Sequence, residues 1–170
     1  MSELNFSSST WAERFADFDW GRFEDLWRLQ ASEVEPGNVR RGGWSSVVRF
    51  TSADGEAFYL KRQENHDYRV WDKGLVRHPT VVREWQTAED FRAFGICTAE
   101  PICLGVDQSG GSRGLLVTKA LDEYESLEEV LKRLPGGSET RQRLWYRIAD
   151  DVLRIHEQGY RHNCLYGQHI

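Results

Sequence analysis

The sequence predicts an α+β fold: an antiparallel sheet carrying one helix with an inward carboxylate, followed by a mainly helical C-terminal part. Three observations predict it. Short apolar runs separated by glycine-rich turns recur through residues 39–118, and helical periodicity marks residues 81–94 and 139–158. Lys61 ends the apolar run Ala57-Phe58-Tyr59-Leu60, and Glu84 falls on the inward face of the first of those helices. An ammonium in such a setting costs free energy unless it is paired, and Glu84 is the candidate partner.

Taken in order, residues 11–29 are dense in rings (Trp11, Phe15, Phe18, Trp20, Phe23 and Trp27), which predicts one or two short helices packed on the main body. Pro36-Gly37-Asn38 is expected to end that segment in a turn. Arg40-Arg41-Gly42-Gly43-Trp44-Ser45-Ser46 then separates a short strand from Val47-Val48-Arg49-Phe50, and Ala53-Asp54-Gly55 turns the chain into the strand Glu56 to Arg62. Gly42 and Gly43 let backbone N–H groups approach a phosphate, although a plain hairpin turn uses glycine in the same way.

Residues 61–83 carry Lys61, Arg62, Arg69, Lys73, Arg77 and Arg83 against Glu64, Asp67 and Asp72, a local charge of six minus three, or +3. This basic loop reads as a solvated connection or as a surface for an anionic acceptor. Pro79 leads into a helix from Val81 to Phe94, on which Val81, Trp85, Ala88 and Phe91 mark the apolar face. Ile102 to Val106 and Gly114 to Thr118 form the next strand pair, followed by the connector Lys119-Ala120-Leu121-Asp122. Ser126-Leu127-Glu128-Glu129 is a capping box opening a short helix. The last helix runs from about Glu139 to Gln158, with Trp145, Ile148, Val152 and Ile155 as its expected buried stripe.

Composition bounds the function. Hydrophobic residues at 39% and aromatic residues at 12% support a real core, and a net charge of −5 argues against a dedicated nucleic-acid binder. Cys97, Cys103 and Cys164 form no C-x-x-C pair, which argues against a disulfide framework and for a reducing compartment. The first residues lack a basic region followed by an apolar run, and no stretch approaches the roughly 18 apolar residues of a membrane span. The expectation is a cytoplasmic protein without a transmembrane segment. His156, His162, Cys164 and His169 are spaced too irregularly to read as a zinc site.

The order strand, glycine loop, strand, turn, strand with lysine, helix with glutamate resembles a protein-kinase-like fold. Arg41-Gly42-Gly43-Trp44-Ser45, Tyr59 to His66, Arg83-Glu84 and Cys164-x-Tyr166-x-x-His169-Ile170 look like the lipopolysaccharide core kinase family, the heptose and Kdo kinases, in its InaA-type branch. The resemblance implies an N-terminal helical extension over residues 1–38, a small lobe with one αC-type helix over 39–121, and a helical large lobe from 122. That lobe is expected to be truncated at residue 170, within the catalytic loop. It implies ATP and Mg²⁺ as cofactors, with Lys61 on the phosphates, Glu84 fixing Lys61, Gly42 and Gly43 covering the nucleotide, and Lys119 and Leu121 at the adenine edge. In the catalytic loop it assigns His162 and Cys164 to the His-Arg-Asp positions and His169 to the metal-binding asparagine. Cys164 in place of aspartate implies weak or absent phosphoryl transfer, with a pseudokinase or stress-response binding module as the alternative. The implied acceptor is a lipopolysaccharide core sugar reached through the basic loop, and the implied station is the cytoplasm or the inner face of the inner membrane.

Overall fold

A computed structural model describes residues 2–40, 42–69 and 77–161. They divide into two units, one from residues up to 89 together with 99–120, the other from residues 90–98 and from 121 onward. The first unit opens with strand β1 (Glu3–Phe6), then helices α1 (Ser9–Asp17) and α2 (Phe23–Trp27), and strands β2 (Ser32–Arg40), β3 (Gly43–Thr51) and β4 (Ala57–Glu64). A two-stranded ribbon, β5 (Asp67–Arg69) and β6 (Arg77–Pro79), precedes helix α3 (Thr80–Ala93), and strands β7 (Pro101–Asp107) and β8 (Arg113–Lys119) complete the sheet. The order across the six-stranded antiparallel sheet is β1-β7-β8-β4-β3-β2, so β4 lies inside it.

Alternation along these strands sorts side chains between two faces. Val48, Phe50, Phe58, Leu60, Leu115 and Val117 pack with Phe15, Phe23 and Leu26 of the N-terminal helices in the main core. Phe15 is fully buried and meets Phe58 edge to face at 5.5 Å and Trp20 at 5.7 Å. Ser8 caps α1 by accepting from Trp11 N at 3.3 Å. Leu104 and Leu116, on the other face, pack with Val81, Val82 and Trp85 of α3.

The structure corrects the sequence reading in several places. Strand β1 was not expected; it pairs with β7 from Glu3↔Val106 to Phe6↔Cys103. Its four residues, Glu-Leu-Asn-Phe, are too few to give a periodic signal. Pro36-Gly37-Asn38 does not end a segment but lies inside β2, where two register shifts between Glu33 and Asn38 absorb it. An edge strand tolerates proline there because the ladder is already interrupted. Lys61 does not end its strand, since β4 continues for three more residues. With β5, β6 and the start of α3, all the described residues of the expected basic loop except Asn65 and His66 are in regular structure.

In the second unit, Ser126 caps α4 (Leu127–Arg133) by accepting from Glu129 N at 3.3 Å, and Ser138 caps α5 (Glu139–Glu157) by accepting from Arg141 N at 3.3 Å. Tyr160 packs edge to face on Phe91 at 5.4 Å and donates its hydroxyl to Asp90. The stripe expected on α5 is only half-covered: Ile148, Val152 and Ile155 are half-buried, and Trp145 is 45% exposed. Periodicity fixes which face is apolar, not how deeply that face is covered.

Candidate functional site

Strand β4 and helix α3 bring the two expected partners together. Lys61 faces away from the aromatic core because its neighbours Leu60 and Arg62 face toward the N-terminal helices. Its Nζ donates to both carboxylate oxygens of Glu84, each at 2.8 Å. The sequence reading expects a buried pair, yet the side chains are 31% and 38% exposed. An ion pair this open contributes at most about 1 kcal/mol to stability, so what it supplies is position: a two-point contact fixes the ammonium at the sheet surface.

The glycine turn follows from backbone geometry. Gly42 has φ +81, the left-handed region that side chains disfavour, and a Cβ on Gly43 would lie 2.5 Å from the carbonyl oxygen of Asn65. Both residues are thus required by the β2–β3 hairpin and its packing on the end of β4. Trp44, next along, donates its indole N–H to Glu64 at 2.7 Å.

Lys119 and Leu121, the expected adenine-edge residues, flank Ala120. The Lys119 N–H is used by Glu100 O at 2.9 Å, and the Ala120 N–H by Ala57 O at 2.9 Å. The Lys119 side chain pairs with Glu56, which raises its pKa above the ordinary lysine value. Burial pushes the Glu56 carboxyl up, but its bonds to Lys119 and Arg14 outweigh that and hold it below the usual carboxylate range. Leu121 is 40% exposed, and its carbonyl accepts from Tyr124 N at 3.0 Å. His162, Cys164 and His169 lie outside the described residues.

Of the five described basic residues in the 61–83 segment, two are committed elsewhere. Lys61 holds Glu84, and Arg62 turns to the opposite face, donating to the carbonyls of Trp27 at 2.9 Å and Leu29 at 3.0 Å. Desolvation there lowers its pKa. Arg69 and Arg77 are exposed cross-strand partners on the ribbon, and the Arg83 guanidinium stands 4.8 Å over the ring of Tyr68. Lys73 lies outside the described residues.

A cavity of about 770 Å³ opens beside β1 and α2, lined by Leu4, Phe6 and Phe23, away from the Lys61 pair. Arg22 and Arg28 on its rim are already bonded to Asp25 and Glu24, so it presents no uncommitted charge from those arginines. Cys103, fully buried, has its thiol pushed up by desolvation and is held in the unreactive protonated form.

Sequence reasoning assigned no role to Gln63, His66, Thr80 and Gly114, which seat the start of α3 against β4 and β8. Gln63 Oε1 accepts from Thr80 Oγ1 at 2.7 Å and from Val81 N at 3.1 Å. The available signal was the i, i+2 spacing of Gln63 from Lys61, which puts both on one face of β4.

Comparison with known proteins identifies the family of the chain. A family model described as the lipopolysaccharide kinase (Kdo/WaaP) family matches residues 24–170. The chain is also similar to Protein InaA of Escherichia coli (strain K12), at 28% identity over 156 residues, covering 89% of this chain and 71% of that protein. No solved structure matches it.

Proposed function

Because the chain belongs to the lipopolysaccharide kinase (Kdo/WaaP) family, we propose that its sheet unit works as a kinase-like small lobe that binds ATP with magnesium, Lys61 holding the α and β phosphates and Glu84 holding Lys61. The observation that carries this reading is the two-point contact of Lys61 Nζ with Glu84. An ammonium has three donors; Glu84 takes two, and the third suits a phosphate oxygen. The partial exposure of the pair leaves it within reach of a ligand. Magnesium, when bound, would neutralise charge on the phosphates, and the family resemblance puts His169 at the position that would face it. Gly42 and Gly43 cover the phosphates without side chains, and the connector at Lys119 and Leu121 meets the base.

At family level the acceptor is a hydroxyl of a lipopolysaccharide core sugar, and Arg69, Arg77 and Arg83 on and beside the β5–β6 ribbon supply positive charge for that anionic surface. The reaction belongs on the cytoplasmic side, where ATP is held. Cys164 stands where a carboxylate would orient the acceptor hydroxyl and take its proton. A thiol of ordinary pKa near ~8.5 does neither well at neutral pH, so phosphoryl transfer by this chain is weak.

Cys164 also favours a second reading, a pseudokinase-type binding module that takes nucleotide without turning it over. Thermal denaturation with and without Mg-ATP tests the shared premise: the nucleotide raises Tm in the wild type and not in Lys61→Ala. Transfer of radiolabelled phosphate to core sugar then separates the two readings, since the binding module transfers none.

A further inference from the structure

The motif Lys61 to His66 contains more chemistry than the lysine alone uses. Helix α3 begins at Thr80 directly after Pro79, a residue whose side chain has no acceptor, so the first-turn N–H groups need partners from elsewhere. They find them on β4 and in the link that follows it. Thr80 N donates to His66 O at 3.0 Å, and Val81 N donates to Gln63 Oε1 at 3.1 Å. Thr80 sends its one hydroxyl hydrogen to the same oxygen at 2.7 Å. Its lone pair therefore accepts from His66 Nδ1–H at 3.1 Å. The Val81 N–H also fixes the Gln63 amide orientation, because the flipped amide would set donor against donor.

Sterics reinforce this seat. Gly114 is the register partner of Gln63 on β8, and a Cβ there would lie 2.6 Å from Val81 and 2.7 Å from Pro79. The missing side chain lets the start of α3 rest on the sheet. Gln63 is 2% exposed and cannot reach a ligand. Lys61 and Gln63 thus leave the same face of β4 two residues apart, one to the first turn of α3 and the other to Glu84, a turn further on.

We propose that Gln63 is a positioning residue: it fixes the height of α3 over the sheet so that Glu84 meets Lys61, and nucleotide affinity depends on it through that pair. The proposal rests on the nucleotide reading for its functional consequence, while its structural half stands on the pair alone.

The test uses the full chain with Gln63→Met, which keeps length but loses the acceptor, and Gln63→Glu, which restores an acceptor. Two quantities are read: Mg-ADP affinity by calorimetry, and the Lys61–Glu84 coupling by a double-mutant cycle in urea. Gln63→Met is expected to weaken Mg-ADP about tenfold, Gln63→Glu to recover most of that loss, and Gln63→Met to add nothing in a Glu84→Gln background. The coupling is expected to vanish with Met and return with Glu. The proposal is overturned if Gln63→Met lowers the urea midpoint yet leaves affinity and coupling at wild-type values, or weakens binding equally in the Glu84→Gln background. If the wild type binds no Mg-ADP, the nucleotide reading falls and the coupling cycle alone decides the positioning role. Should Gln63→Met not fold, Thr80→Val removes one donor from the same relay and is judged by the same outcomes.

Discussion

On one side of the sheet, α1 and α2 are held by rings: Phe15 touches Phe6, Trp11, Trp20 and Phe58, and all of these contacts are edge to face. On the other, α3 rests on a smaller apolar cluster of Val81, Leu104 and Leu116 and is fastened by polar contacts from Lys61 and Gln63. The energy of the aromatic face comes mainly from buried apolar area, which is less sensitive to small displacements of any one atom. The polar face depends on donors and acceptors meeting within a few tenths of an ångström. One face therefore supplies stability and the other supplies geometry, and strand β4 takes part in both through the alternation of Phe58, Leu60 and Arg62 with Lys61 and Gln63.

Breaking the aromatic face should have the largest effect. Phe15→Ala removes a fully buried ring and is expected to cost about 3–5 kcal/mol, a fall in Tm on the order of 10 °C. Its nucleotide affinity, measured below the transition, should stay near wild type, because the lost ring lies on the other side of the sheet from Lys61.

A smaller effect is expected at the polar clamp on the aromatic side. Arg113 lies 5.1 Å over both Phe23 and Trp27 and bonds Asp107 and Glu24. The Arg113 guanidinium, helped by Ser109, holds the Asp107 carboxyl down at about 2. A carboxyl lowered in the folded state adds stability above its ordinary pKa near ~3.9 and loses it as pH falls toward the folded value. Asp107→Asn should cost about 2 kcal/mol at neutral pH, and the gap to wild type should close between about pH 4 and pH 2, as followed by urea denaturation across that range.

The parts of this arrangement that were legible in the sequence are those encoded locally. The strand alternation around Lys61 and the helical spacing of Glu84 with Ala88 and Phe91 place both groups on facing surfaces, and the pair forms. The capping serine Ser126 and the turn at Asp54-Gly55 were readable for the same reason, since their partners lie within a few residues. What was not legible depends on distant chain. Strand β1 exists because β7 offers it an edge, the bulge at Pro36 because β3 carries the register past it, and the cap on α3 because Gln63, 18 residues from Val81, stands beneath it. The exposure of Lys61 and Glu84 was misjudged because burial depends on neighbouring layers, not on periodicity.

The smallest effect on stability should accompany the largest effect on function. Lys61→Ala should change unfolding free energy by no more than about 1 kcal/mol, because the pair it breaks is partly solvated. The decisive measurement is calorimetric titration of Mg-ADP into the wild type and into Lys61→Ala. One saturable site in the wild type, weakened at least about tenfold in the variant at an unchanged urea midpoint, is the result expected. Equal affinity in the two proteins, or no binding by the wild type, would contradict the claim that this sheet face exists to hold a nucleotide phosphate.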